Sequence, residues 1–418
     1  MRIRVALLFS GLALAFPAAA AQPQVVRPPI AVYWMSVDTM SGMGAGMNVS
    51  SMMGAMMGGG GDSSTRTMNL QLGSSQSASG EPRAAHDVPS GLNMGPSLPL
   101  LTPRRAATPG RDEDLPEGME QPKGRMKIYW GCGDTVGAGQ PVIIDFAKVA
   151  AGQRPLNLVS RRVAGASGPA AGKNRTYGDW PNTEDSKAVP AGASLRGEHL
   201  VKGNYSPEIK FSIEERHDFM APVSFSPLAK TPSGGMQVQW KAVPSATGYF
   251  ATAMGAVEGS NDVVMWSSSE VQEMGGALMG FVPPAEVTRL IREKVVMPPQ
   301  TTECTVPGQV VKELGTGFLR FVAYGDELNL VHPPRPRDIK QPWEQVWAVK
   351  VRLKSSAGLM LAEGMGGMSR EAGGRAERRP APAQQPEIPS QTQQQGTGSP
   401  VEQGVQEGLK ALKGLFGR

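Results

Sequence analysis

Short runs of alternating apolar and polar residues dominate the chain. Within Val346–Leu353, Val349, Val351 and Leu353 fall on one face and Lys350, Arg352 and Lys354 on the other, the period of two of a half-buried strand. Comparable runs rich in β-branched and aromatic residues occur at Ile30–Met35, Arg66–Leu72, Arg125–Trp130, Pro141–Ala147, Asn157–Val163, Leu195–Lys202 and Glu208–Ile213. They continue at Met236–Ala242, Gly248–Met254, Asp262–Trp266, Phe318–Ala323 and Glu327–Val331. Gly/Pro turns separate them, and helical periodicity is scarce. The pattern predicts an all-β protein built of two β-sandwich-like units. One internal helix is expected, where Pro283-Pro284 precedes Ala285–Lys294 and Val287, Leu290 and Ile291 share a face.

The opening residues have a different pattern. Arg2 and Arg4 precede an apolar run from Val5 to Phe16, then Pro17 and four small residues, Ala18 to Ala21. This is the layout of a secretory signal peptide over 1–21, and the run is shorter than a membrane-spanning helix needs. An N-terminal β unit is expected over 22–163, a connector over 164–193 and a second β unit over 194–362. Residues 40–61, with seven Met, eight Gly and no charge, read as a flexible loop, because Gly at that density resists regular structure. Residues 363–398, rich in Gly, Pro and Gln, read as a disordered tail. It leads to an amphipathic helix over 399–418: Ser399 as N-cap, Pro400 at N1, and Val401, Val405, Leu409, Leu412 and Phe416 on one face. The partner expected for that helix is an envelope protein or a membrane surface.

Composition sharpens this picture in two places. The 418 residues include 52 Gly, 36 Pro and 23 Met, and charged residues make up only 19%. The formal charge is +5, of which the leader contributes two arginines and no acid. A nearly neutral mature chain without a basic, aromatic-interleaved face argues against nucleic acid as a partner. Only Cys132 and Cys304 occur, each beside an expected strand. An exported chain meets oxidising conditions, so a bridge between them is expected, with two separate thiols as the alternative.

Val238-Gln-Trp240-Lys-Ala-Val243-Pro244-Ser-Ala246-Thr-Gly-Tyr249 resembles the strand–turn–strand of fibronectin type III-like modules, covering about Phe219 to Trp266. The resemblance implies an immunoglobulin-like sandwich with a core Trp at 240, serving as an interaction or scaffold module without catalysis. The sequence departs from the pattern in a long insertion from about Pro283 to Gly317 and in its approach to the tyrosine corner. The chain as a whole looks like exported proteins of Gram-negative bacteria, in which a leader, a Tyr-Trp strand, a Gly/Met loop and a sandwich occur together. That likeness implies periplasm or cell surface and no particular activity.

Motifs that would carry chemistry are sparse. Gly131-x-Gly133-x-x-x-Gly137-x-Gly139 misses the dinucleotide-loop spacing and is followed by a second strand, so it reads as a hairpin turn. His86, His199, His217 and His332 are scattered without metal-ligand spacing. Glu214-Glu-Arg-His217-Asp218 is the densest ionisable group and reads as a solvated strand end. Met40, Met43, Met47, Met52, Met53, Met56 and Met57 are the exception, because clustered thioethers suit Cu(I). The sequence therefore predicts a non-catalytic, cofactor-free envelope protein, with periplasmic copper binding through the Met loop as the alternative. One internal similarity remains. Ile30-x-Val-Tyr33-Trp34-x-x-x-Asp38-Thr39 parallels Met126-x-Ile-Tyr129-Trp130-x-x-x-Asp134-Thr135, which reads as two neighbouring strands ending in Asp/Thr turns.

Overall fold

The computed structural model describes residues 24–43, 64–103, 124–153, 163–165, 167–257, 259–315 and 317–361. The expected leader, most of the Met/Gly loop, the strand at 157–162, the tail and the 399–418 helix lie outside them. The described residues form an all-β fold with short helices.

One nine-stranded sheet organises the molecule. At its centre β13 (Gly248–Ala256) runs antiparallel to β16 (Gly317–His332). Outward from β13 come β14 (Val263–Ser267), β6 (Arg125–Trp130) and β7 (Val142–Asp145). Outward from β16 come β18 (Trp347–Leu361), β2 (Ala31–Gly42), β3 (Thr65–Ser74) and β8 (Thr176–Trp180). The pairing alternates identically on both sides: antiparallel, then parallel, then antiparallel. The sheet thus has a pseudo-twofold axis between β13 and β16, perpendicular to its plane. That axis relates β2 to β6.

This arrangement corrects the reading of the Tyr-Trp similarity. The strands β2 and β6 are not neighbours; four strands separate them. They are equivalents about the pseudo-axis, each paired in parallel to the second strand of a central hairpin. Tyr33 and Tyr129 both enter the large core, while Trp34 and Trp130 take the opposite face. Asp38 and Thr39 lie inside β2 rather than at a turn.

Two smaller sheets cover the tyrosine face. Beside β2 lies a four-stranded sheet, β10 (Ser206–Ile213), β9 (Gly197–Gly203), β4 (Ala84–Asp87) and β5 (Ser97–Leu100). Beside β13 lies a three-stranded one, β11 (Ala229–Lys230), β12 (Met236–Gln239) and β15 (Glu303–Val306). Alternation drives the packing: Met236 and Val238 point inward with Trp240, whose ring meets those of Phe321 (4.7 Å between centroids) and Tyr249 (5.5 Å). A two-residue pair, β1 (Val26–Arg27) with β17 (Trp343–Glu344), completes the strands.

Two short helices cover parts of the opposite face, and a third packs on the tyrosine face. α1 (Phe146–Ala150) begins at Asp145, whose carboxylate accepts from the backbone N–H groups of Ala147 and Lys148 at 3.1 and 3.3 Å. Its Phe146 packs with Met126, Ile128, Ile144 and Met265. α2 (Pro284–Arg292) starts with Pro at N1 and buries Val287 and Leu290 against Phe250, Val322 and Tyr324. α3 (Gly308–Leu314) packs Val310, Val311 and Leu314 into the tyrosine-face core.

Three further expectations change. Met40 to Gly42 belong to β2, not to a loop beginning at 40, because β18 pairs with all three and β3 with Met40. β8 lies inside 164–193, the stretch read as a connector, and buries Tyr177 and Trp180 as an edge strand against β3. The large sheet takes strands from both 22–163 and 194–362, so the expected boundary runs through one sheet. The physical cause is β18, which hydrogen-bonds β16 on one edge and β2 on the other.

Candidate functional site

The polar face of β18 carries the densest chemistry. Lys350, Arg352 and Lys354 alternate along the strand, at the same register as Trp34, Ser36 and Asp38 on β2. Phe281, from the segment preceding α2, lies over them. The five side chains interleave as cation, ring, cation, ring, cation. Lys350 Nζ lies 5.6 Å from the Trp34 ring centre, and Arg352 Cζ lies 4.8 Å from the same ring. Arg352 Cζ is also 4.6 Å from the Phe281 ring centre, and Lys354 Nζ is 5.1 Å from it. A guanidinium held between two aromatic faces is attracted by both ring quadrupoles and keeps its edge free.

The two end cations are neutralised locally. Lys350 pairs with Glu327. Lys354 reaches Asp38 at 3.3 Å and donates to the Met279 carbonyl at 3.0 Å. Asp38 also accepts from the Ser356 hydroxyl at 2.9 and 2.8 Å. Burial raises the Asp38 carboxyl above its ordinary value, against the opposing pull of Lys354 and Ser356. The central cation differs. Arg352 Nε donates to Ser36 Oγ at 2.7 Å, and among the described residues Nη1 and Nη2 have no hydrogen-bond partner. Burial pulls this guanidinium below its ordinary value, with Glu327 acting against it. The surroundings are built closely: a Cβ on Gly168 would come within 2.8 Å of the Trp34 ring. The alternation of 350, 352 and 354 was legible in the sequence as a solvent-facing side. Their aromatic cover was not, because Trp34 and Phe281 arrive from distant segments.

A second polar cluster lies in the core on the other face. Tyr33 Oη is 2.8 Å from His86 Nδ1, His86 Nε2 is 2.9 Å from His199 Nδ1, and His199 Nε2 is 2.7 Å from the Leu195 carbonyl. With both imidazoles neutral, one arrangement of protons satisfies the whole chain. A carbonyl only accepts, so His199 Nε2 donates to it and His199 Nδ1 accepts from His86 Nε2–H. His86 Nδ1 then accepts from the Tyr33 hydroxyl. Phe211 stacks on both imidazoles. Burial lowers both histidines and raises Tyr33. The chain ends on a backbone carbonyl, so it serves to join β2 of the large sheet to β4 and β9 of the small one. Sequence reading treated these histidines as scattered; β4–β9 pairing brings them together across 113 residues.

The remaining candidates are placed as follows. Met40 lies in β2 and Met43 just beyond it, while Met47, Met52, Met53, Met56 and Met57 lie outside the described residues. Gly42 pairs with Gly358, and the Met43 N–H donates to the Gly358 carbonyl at 3.1 Å. Met40 and Met43 therefore sit at the same end of the sheet as Met360 of β18. Cys132 and Cys304 are joined in a disulfide spanning 172 residues, which ties the loop after β6 to β15. Gly131–Gly139 is the turn of the β6–β7 hairpin, with Gly131 and Gly139 at positive φ. Glu214–Asp218 forms a single 3-10 turn: Arg216 pairs with Asp326, and Asp218 accepts from Ser194 Oγ at 2.6 Å and the Leu195 N–H at 2.7 Å. Among the described residues, no three His, Cys, Asp or Glu side chains gather as metal ligands, and no helix is long and apolar enough to cross a membrane. Comparison with protein-family models and with curated proteins gave no match.

Proposed function

We propose that this chain is an exported, non-catalytic binding or structural component of the cell envelope, whose 194–362 half is a fibronectin type III-like module. The observation that carries the reading is strand order. From β11 to β18, leaving aside the two-residue β17, the first, second and fifth strands form one sheet, and the third, fourth, sixth and seventh lie in the other. That is the division found in immunoglobulin-like sandwiches, and Trp240 of the Val-x-Trp motif fills the space between the layers. The four-stranded sheet, which takes β4 and β5 from 22–163 and β9 and β10 from 194–362, lies against the same large sheet, so the two sandwich-like units of this reading share one continuous sheet and exchange strands. The Cys132–Cys304 bridge suits an oxidising compartment, in keeping with the leader pattern at 1–21. Cell fractionation with N-terminal sequencing tests the address. A mature chain starting at Ala21 or Gln22 outside the cytoplasm supports it, and a retained Met1 in the cytoplasm overturns it. Cosedimentation with anionic lipid vesicles, with and without residues 399–418, tests the terminal helix; equal sedimentation removes its membrane role.

A second reading, Cu(I) binding through methionine thioethers, is favoured by the placement of Met40 and Met43 beside the end of β18, where Met360 lies. Titration with Cu(I) of the intact chain and of one lacking residues 44–57 decides it. No loss of affinity on deletion overturns that reading.

A further inference from the structure

The three cations of β18 are chemically unequal. Lys350 and Lys354 are each paired with a carboxylate, Glu327 and Asp38, and both pairs are largely sheltered from solvent. Arg352 forms no salt bridge among the described residues; Glu327, its register neighbour on β16, pairs with Lys350 and acts on Arg352 from farther away. Arg352 Nε is taken by Ser36, and its Cζ lies over two rings, 4.8 Å from the centre of Trp34 and 4.6 Å from that of Phe281. Nη1 and Nη2 make no hydrogen bond among the described residues. A guanidinium so held has lost its rotational freedom before any ligand arrives, which lowers the cost of binding. Two parallel N–H donors on one planar edge match the spacing of two oxygens on a planar anion. Counting the flanking pairs, the site has one uncompensated positive charge, which suits a monoanion better than a dianion.

We propose that Arg352, clamped between Trp34 and Phe281, is a recognition site for a carboxylate group, bound end-on by Nη1 and Nη2. The inference deepens the binding reading above and rests on it, while fractionation and ligand titration leave each free to fail alone. The flanking lysines serve as positioning residues: Lys350 Nζ lies 5.6 Å from the Trp34 ring centre and Lys354 Nζ 5.1 Å from that of Phe281, so each ring that meets the guanidinium also meets a paired lysine. Arg and Lys are not interchangeable here, because an ammonium offers no planar fork and stacks less well between rings.

Calorimetric titration of the full mature chain at constant ionic strength tests this. The probes are acetate, N-acetyl-aspartyl amide, trialanine with a free or an amidated C-terminus, and inorganic phosphate. Saturable binding of acetate is expected, and the two carboxylate sources separate by whether the aspartyl probe or free-ended trialanine binds more tightly. Amidated trialanine should not bind. Arg352→Lys should weaken carboxylate binding by about tenfold or more, the loss expected for a charge-assisted bidentate contact. Phe281→Leu, which opens one side of the clamp and keeps the charge, should weaken it several-fold. Lys241→Gln, at an exposed position away from the site, should leave it unchanged. Melting temperature and near-ultraviolet circular dichroism establish that each variant is folded; should Arg352→Lys fail to fold, Phe281→Leu carries the test. Equal affinity in wild type and the variants, absence of saturable binding, or phosphate binding as tightly as acetate would overturn the proposal.

Discussion

At the scale of single residues, the Tyr33–His86–His199 chain has a definite pH signature. Both imidazoles are buried and neutral, with their values lowered mainly by burial. In the unfolded chain they titrate near the ordinary histidine value of about 6.5. The sign follows directly: below that pH the unfolded state takes up protons that the folded state refuses, so stability falls as pH drops. Each histidine contributes a slope of up to about 1.4 kcal/mol per pH unit until its folded-state value is reached. Denaturant midpoints measured at pH 7.5, 6 and 5 should decrease in that order, and a flat profile would contradict the protonation assignment. Tyr33→Phe removes the donor to His86 Nδ1 and should cost about 1–3 kcal/mol at neutral pH, read from the same titration. None of this was legible in the sequence. His86 and His199 become neighbours only through a cross-strand pairing, and no local pattern announces a register between segments so far apart.

At the scale of elements, the sequence was most legible where one strand alternates cleanly. β6, β12, β13 and β18 all fall where alternating or aromatic runs were read. It was least legible where small and polar residues form strands that lean on neighbours. β4, β5 and β8 lie in Ser-, Pro- and Gly-bearing stretches whose backbone is satisfied by partners rather than by propensity. The end of β2 belongs to the same class. Gly42 adopts a φ of +62°, and a Cβ there would come within 2.4 Å of the Gly358 carbonyl oxygen. Gly42→Ala should therefore cost about 1–3 kcal/mol and loosen the join between β2 and β18, measurable as a lowered denaturant midpoint and faster amide exchange at Gly358 and Met360. The disulfide acts on another join. A bridge closing a loop of 172 residues restricts the unfolded chain strongly, so Cys132→Ser with Cys304→Ser should lose about 2–5 kcal/mol. A reductant should produce the same shift in the wild type and none in the double variant.

At the scale of the whole molecule, the two halves read from the sequence are joined through β18. The all-β character was visible in the alternation, but the parallel pairings β2–β18 and β6–β14 were not, because parallel neighbours need no shared turn. Two consequences can be measured. Residues 22–163 expressed alone lack both parallel partners, β18 and β14, and should remain unfolded by circular dichroism. The intact chain should lose far- and near-ultraviolet circular dichroism in one coincident transition, whereas two separated transitions would mean that the shared sheet does not couple the halves. The separation of β2 from β18 also governs the chain during its synthesis. More than 300 residues lie between them, a topology of high contact order that closes slowly. Until residue 347 has left the ribosome, β2 and β16 each present a bare ladder of N–H and C=O groups to any other chain nearby. Unfinished or truncated copies are therefore templates for aggregation, and the same two edges disappear into the sheet the moment β18 slides between them.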